Sequence, residues 1–360
     1  MINPSNIPSN LYVWSKIDEL VDAIFERQYY TNHGPELIEL EKELESFYPE
    51  SEFLGMANYD IALLISLISL APSRLIGIPS IIENSVLQAL KFLNLELEVI
   101  PVNPKTGVLS LYNYDTSNTK KLSTLIVSNL FGNTIDYQEL HDFVNNKDIS
   151  VIILSKDGFG NKYGLEWGPD LNIIEIFDFS KTSMINGTVG AGLRTVNKTL
   201  SEKIRNIRSS YGTRKKMSIP FTGNGRMSEI QAGLIRTSLS LFKHQNVQIK
   251  NNYEFCTSLL DKLKSCQVIK TNHKFATTTN YFKLIINLEE SCRIKMKPFN
   301  QNKRSSDCII KSAVDLEVTI LNDEINAKTF LERTIVIILN PQNTSFQIRK
   351  IINELKAQLN

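Results

Sequence analysis

The sequence is poor in the residues that build metal centres and disulfide frameworks. It holds four cysteines and four histidines in 360 residues. Cys256, Cys266, Cys292 and Cys308 show neither CxxC spacing nor a paired-histidine motif, so they read as reduced thiols. His33, His141, His244 and His273 are scattered without zinc-ligand spacing and read as surface or packing residues. Neither sign of charge is in excess: 40 Lys and Arg against 38 Asp and Glu leave +2. That excludes a general attraction for nucleic acid or acidic membranes. No apolar run is long enough to span a bilayer, and the best one, residues 61–72, ends in proline. The opening MINPSNIPSN lacks a basic n-region and an apolar h-region, so no signal peptide is expected and the chain reads as cytoplasmic. A GxSxG elbow and a P-loop are absent, and GTVGAG at 187–192 is not a GxGxxG in a first βα turn.

What is present is an ordinary globular balance, 42% apolar and 22% charged, in a chain long enough for one large and one smaller domain. Residues 35–48 place Leu37, Leu40, Leu44 and Phe47 on one helical face. Residues 60–70 form a nearly all-apolar helix, which implies burial. Short apolar runs at 74–78, 97–102, 125–129, 151–154, 173–179 and 191–195 have strand length, and helical patterns at 86–93, 136–144 and 201–208 separate several of them. This alternation predicts a largely parallel sheet covered by helices. Residues 227–263 read as one long helix or two. Beyond them, strands at 280–287, 315–320 and 334–339 and a helix at 346–359 suggest a small α+β domain. The division is therefore a large domain over 1–240 and a small one over 241–360. The polar, basic stretch 293–311 reads as a solvated loop.

Five stretches, in order, resemble the DegT-type sugar aminotransferases. YYTNHGPELIELEKEL (29–44) is similar to the family's T-N-x-G-P segment. MANYDIALLISL (56–67) resembles its N-G/A-T-x-A-L loop and helix. PSIIENSVLQALKFLNLELEVIPVNPKTG (79–107) aligns without a gap to P-S-F-T-F-x-A-T … D-x-D-P-x-T-G. SNLFGNTIDYQEL (128–140) resembles V-H-x-x-G-x-x-x-D, and GNGRMSEIQAGL (223–234) is close to G-x-N-x-R-M-S-E-x-Q-A-A. The resemblance covers roughly residues 25–260 and fades over the last hundred. It implies a fold type I PLP-transferase-like α/β fold: a mostly parallel sheet flanked by helices, with a smaller C-terminal α+β domain. It also implies a homodimer with the active site between subunits, and chemistry carried by pyridoxal phosphate (PLP).

The positions that would serve PLP depart from that pattern. The family's F-S-F-H-A-T-K matches FDFSKTS, which puts Ser183 where the resemblance implies the Schiff-base lysine; a shift of two residues would make it Lys181. A serine has no amine with which to hold an aldehyde. V-I-x-D-A-A-H-A-F-G matches VIILSKDGFG, so Leu154 takes the place of the aspartate that protonates the pyridine nitrogen. A one-residue gap would offer Ser155 instead. The phosphate-cradling G/A-T pair becomes Tyr59-Asp60 at a helix N-terminus, where Asp60 reads as the N-cap. The phosphate-binding serine of F-S-F-H becomes Asp178. At 4 Å and an effective dielectric of 20, each carboxylate–phosphate charge pair would cost ~4 kcal/mol. The stacking aromatics of S-F-T-F become Ile81 and Glu83, and Asp157 replaces the histidine. Asn224 keeps the asparagine that reaches the phosphate from the partner subunit, while Arg226, Met227 and Glu229 match positions that packing alone would preserve.

The resemblance, taken with these departures, implies a catalytically degenerate homologue of nucleotide-sugar aminotransferases, PLP-free, acting as a dimeric scaffold or binding protein in sugar or surface-polysaccharide biosynthesis. Such a protein would take a nucleotide-sugar ligand and neither nucleic acid nor membrane. Two alternatives stay open. One is an active PLP aminotransferase of a keto-sugar nucleotide that uses Lys181. The other is an acidic pocket at Asp60, Glu83, Asp157 and Asp178 turned to a cationic ligand or metal, unless Lys156 and Lys181 pair with those carboxylates and fill it.

Overall fold

The computed structural model describes residues 14–359 apart from 73–74, 112–113, 115–121, 146, 164–166, 181–182, 210–214, 220, 263–265, 270–275, 279–280, 282, 289–308, 313–317, 322–323 and 340. In chain order the elements are α1 (Trp14–Arg27), α2 (Pro35–Phe47), β1 (Glu52–Met56), α3 (Tyr59–Leu70), β2 (Leu75–Pro79), β3 (Ile81–Glu83), α4 (Asn84–Phe92), β4 (Leu97–Ile100), β5 (Leu122–Ser128), α5 (Tyr137–Val144), β6 (Ser150–Leu154), β7 (Lys162–Tyr163), β8 (Ile173–Asp178), β9 (Ala191–Thr195), α6 (Lys198–Arg208) and α7 (Glu229–Leu260). There follow β10 (Cys266–Ile269), β11 (Ala276–Thr278), β12 (Lys283–Leu288), β13 (Ile309–Ser312), β14 (Val318–Ile320), α8 (Glu324–Arg333), β15 (Thr334–Ile338) and α9 (Ser345–Leu359).

Seven strands form the central sheet in the order β1-β9-β8-β6-β5-β2-β4. β4, β2, β5, β6 and β8 run parallel, and β9 runs antiparallel to both of its neighbours. This is the helix-covered parallel sheet that the alternation predicts. Strand parity assigns its two faces. Ile152, Leu154, Ile174 and Ile176 pack with α3 and α6 residues in one core. Phe53, Phe177 and Phe179 pack in another with Leu37, Leu40, Met227 and Ile235 from α2 and the α7 region. β10, β12, β15 and β13 make a separate four-stranded antiparallel sheet.

Two sequence expectations are corrected, those for the cap of α3 and for the strand near 315–320, and one left open is resolved. The cap of α3 is Asn58, whose side chain accepts from the Ile61 N–H at 2.8 Å; Asp60 lies inside the first turn and is exposed. Both are good capping residues, and the chain takes the one whose extended backbone precedes the helix. The 227–263 segment is a single helix, α7, started by a Ser228–Gln231 capping box. The strand near 315–320 does not join the four-stranded sheet. As β14 it pairs antiparallel with β3, Val318 opposite Glu83 and Ile320 opposite Ile81, and the Leu321 N–H bonds the Ser80 carbonyl at 2.8 Å. Local strand preference does not choose a partner.

Candidate functional site

In open parallel sheets, ligands bind beyond the carboxyl ends of the strands. Four segments meet that description here: Ser80–Glu83 after β2, Ser128–Asn129 ending β5, Ser155–Asp157 after β6, and Asp178 at the end of β8. The N-terminus of α3 faces the same region, because Tyr59 packs in the core cluster that holds Leu154 and Ile176.

The side chains gathered there are mostly charged. Lys156 Nζ donates to Glu83 Oε2 at 3.0 Å and lies 5.3 Å from the centroid of the Tyr59 ring. Lys283, from β12, pairs with Asp157. Asp178 is 5% exposed, and its carboxylate accepts from the Ser180 N–H at 2.9 Å and the Ser180 hydroxyl at 2.8 Å. Tyr59 is 6% exposed, and its hydroxyl has no hydrogen-bond partner among the described residues.

The electrostatics follow from this crowding. Burial pushes the Glu83 carboxyl above the ordinary range; Lys156 pulls it back, and Asp157 and Asp178 push it up. Burial raises Asp178 as well, against the Ser180 bonds and Lys156. The Tyr59 phenol is pushed well above its usual value by burial and then by the Glu83, Asp178 and Asp157 charges. Burial works against the charge on Lys156, but Glu83, Asp178 and Asp157 outweigh it and its pKa is raised. The structure therefore brings Tyr59, Glu83, Asp157 and Asp178 together around Lys156, which pairs with Glu83 as the filled-pocket alternative expects. Asp60 contributes only at a distance, as the weakest of these charges on Tyr59.

Leu154 is 1% exposed, at the end of β6 with its side chain on the α3 face. Ser155 follows on the opposite face. Its hydroxyl donates to Glu175 Oε1 at 2.6 Å and accepts from Asn129 Nδ2 at 2.8 Å, and Glu175 is further paired with Arg194 at 2.9 Å. Ser155 is thereby committed to a buried network and is turned away from Tyr59 and Asp178. The expectation that it might replace Leu154 in the site is corrected by this parity.

A model of the DegT/DnrJ/EryC1/StrS aminotransferase family matches residues 13–355. The chain belongs to this family. No curated protein matches its sequence. Among solved structures it is similar to DesI in the presence of its TDP-sugar product, with TM-score 0.80 and 16% identity over 98% of this chain and 92% of that one. It is similar to a DegT DnrJ EryC1 StrS aminotransferase from Brucella abortus, with TM-score 0.76 and 15% identity over 96% and 95%. It is also similar to the E. coli GDP-4-keto-6-deoxy-D-mannose-3-dehydratase with bound hydrated PLP, with TM-score 0.75 and 13% identity over 100% of both chains. At these identities the likeness shows the fold: the chain has the mixed α/β, mostly parallel architecture of PLP-dependent aminotransferases.

For this DegT-family chain, the remaining site positions fall as follows. Ser183 is 7% exposed, its N–H bonds the Ser180 carbonyl at 3.0 Å, and its hydroxyl has no partner among the described residues. Lys181 lies outside the described residues, so its expected pairing with the carboxylates does too. Asn224 is exposed with φ +47°, and its Oδ1 accepts from Arg226 Nε at 2.7 Å. Met227 and Glu229 serve the chain's own packing: Met227 is in the core, and the Glu229 carboxylate accepts from the Glu36 N–H at 2.7 Å. Lys283 was missed at the sequence level; it stands 126 residues from Asp157 and carries no local signal. Asn129 was missed too, although it sits in the SNLFGN stretch that carries the resemblance. No helix among the described residues is long and apolar enough to cross a membrane.

Proposed function

We propose that this chain is a PLP-independent member of its family. In this reading it binds a nucleotide sugar as a homodimeric, cytoplasmic scaffold or binding protein of sugar or surface-polysaccharide biosynthesis, and it does not transaminate. The nucleotide-sugar setting is taken from its structural neighbours, among them DesI with its TDP-sugar product and a GDP-4-keto-6-deoxymannose-3-dehydratase with bound GDP-perosamine.

One observation carries the reading: the cofactor-contacting positions hold side chains already engaged with one another, Glu83 with Lys156, Asp157 with Lys283 and Asp178 with Ser180. PLP does not fit that residue set. Its pyridinium would meet Leu154, which offers neither charge nor hydrogen bond, and Ser155 is bonded elsewhere. Its phosphate would approach the Asp178 carboxylate, which burial already holds above the ordinary range. Its ring would replace the Glu83–Lys156 pair that lies against Tyr59. Ser183, in register with the family's lysine, has no amine.

The test is to add PLP to the purified full chain, record the visible spectrum, reduce with borohydride and map any modified lysine by peptide mass. The expected result is no reducible absorbance and no site-specific adduct. A reducible absorbance mapped to Lys181 would overturn the reading. It would establish the second one, an active PLP-dependent aminotransferase of a keto-sugar nucleotide, which the family match over residues 13–355 favours.

A further inference from the structure

Five of the ten large apolar side chains that stand exposed among the described residues share one face: Phe25, Tyr29, Tyr30, Val189 and Ile230. Their contacts make the face continuous. The Phe25 and Tyr30 rings meet edge to face with centroids 5.6 Å apart. The Tyr30 carbonyl accepts from the Glu229 N–H at 2.9 Å, which sets Tyr30 beside Ile230. Gln231 Nε2 donates to the Ala57 carbonyl at 3.2 Å and to the Val189 carbonyl at 3.5 Å, which brings Val189 to the same edge. Exposed aromatic side chains gathered around an arginine have the composition of a protein interface rather than of free surface.

The same face carries one unpaired charge of each sign. Arg226 is half-buried, and its guanidinium donates to the side-chain oxygens of Asn32 and Asn224, both neutral. It meets no carboxylate among the described residues. The Tyr29 hydroxyl donates to the Asn32 carbonyl at 2.8 Å, so this arginine is fixed beside the aromatic turn. Its neighbour Gly225 lies against α3: a Cβ there would come within 3.0 Å of Ile61, and the Gly225 carbonyl accepts from the Ala57 N–H at 3.0 Å. Asp60, next to Ile61 in the first turn of α3, is exposed and makes no ion pair among the described residues. An arginine and an aspartate that share a face without pairing are self-complementary about a two-fold axis. Each residue of one copy then meets the other residue of the second copy.

We propose that a second copy of this chain covers this face, with the Asp60 carboxylate of each chain bonded to the partner subunit's Arg226. A guanidinium has five donors in a fork that matches a carboxylate, and the two asparagines use only part of it. The apolar side chains around the pair would keep water from it. An unrelated protein would have to supply both charges in the right places, whereas a second copy already holds them. Because the N-terminus of α3 faces the strand-end region, the partner's Arg226 stands at the rim of that site, which is complete only in the dimer. This inference rests on the homodimer of the proposed function and names the residue that the second copy contributes.

The test measures self-association of the full chain by sedimentation velocity over a range of concentrations. Wild type should dimerise. Asp60→Lys and Arg226→Glu each place two like-charge contacts across the axis and should raise the dimer dissociation constant about a hundredfold, tenfold per contact. Mixed in equal amounts, the two variants should form a heterodimer at close to wild-type affinity, because both contacts again join opposite charges. A pair made within one chain would not be restored by mixing. If a charge reversal impairs folding, the neutralising Asp60→Asn and Arg226→Gln should still weaken the dimer about tenfold or more. A wild-type dimer whose affinity the neutralising variants leave unchanged, or folded reversal variants that stay apart when mixed, would overturn the inference and leave the homodimer standing. A monomeric wild type sinks the homodimer, and this inference with it.

Discussion

Replacing Glu41 by glutamine removes the charge at the centre of the buried network that sets β1, and hence the start of α3, in place. Glu41 Oε2 accepts from Arg205 Nη1 at 2.9 Å, and Oε1 accepts from Arg208 Nη1 at 2.6 Å and from the Gly55 N–H at 2.9 Å. Arg208 Nη1 also bonds the Gly55 carbonyl at 2.9 Å. Burial alone would push the Glu41 carboxyl up, but Arg208, Arg205 and His33 outweigh it and hold it down at about 2 against an ordinary 4.5. A carboxyl depressed on folding contributes stability that is present above pH 4.5 and lost as pH falls toward 2. At about 1.4 kcal/mol per tenfold in proton affinity, that gap corresponds to roughly 3 kcal/mol. The mutational route gives a similar size: breaking a buried pair and leaving its partners uncompensated costs about 3–5 kcal/mol. Urea unfolding of wild type and Glu41→Gln at a series of pH values measures the difference and cancels the titration of other carboxylates. The variant should be less stable by about 3 kcal/mol at pH 7, and the gap should close as pH falls below 4.5. A gap under about 0.5 kcal/mol at neutral pH, or one independent of pH, would refute the reasoning.

Two further outcomes concern the cluster itself. Tyr59→Phe removes a buried hydroxyl that has no partner among the described residues, so the protein should gain about 1 kcal/mol in urea unfolding; a loss of stability would mean the hydroxyl is satisfied. Lys156→Met leaves Glu83 buried without its cation and should cost about 2–3 kcal/mol at neutral pH, while adding Glu83→Gln should restore at least half of that. With Lys156 gone the Glu83 carboxyl rises further above 4.5, so the cost should appear as pH rises through that higher value and vanish in acid; a cost unchanged with pH, or no rescue in the double variant, would count against the pair.

The tests separate by what each residue could announce in advance. The parallel sheet was legible because β2, β5, β6 and β8 are short apolar runs between helical patterns, and because both faces are buried the runs are nearly continuous. Leu154 could be placed at a strand end from the same pattern. Its face, and the opposite face of Ser155, followed only when β6 was set in register beside β8, since a step of one residue reverses every side chain. Charge at Glu83, Asp157 and Asp178 was visible in the sequence, but their convergence could be expected only through the family resemblance. Glu83 meets Lys156 across 73 residues and Asp157 meets Lys283 across 126, and no local propensity encodes such pairings. The choice of Asn58 over Asp60 as cap, and of β3 over the small sheet as partner of β14, were likewise contests that tertiary packing decides. Least legible was the Tyr59 hydroxyl. A tyrosine in the first turn of an apolar helix reads as core, and its ring is core. Only the three-dimensional arrangement shows that its polar end is buried without a hydrogen-bond partner among the described residues. The sequence argument, built on what the family's positions had lost, could offer an acidic pocket but not say which carboxylates keep a cation: in the fold Lys156 takes Glu83 and Lys283 takes Asp157.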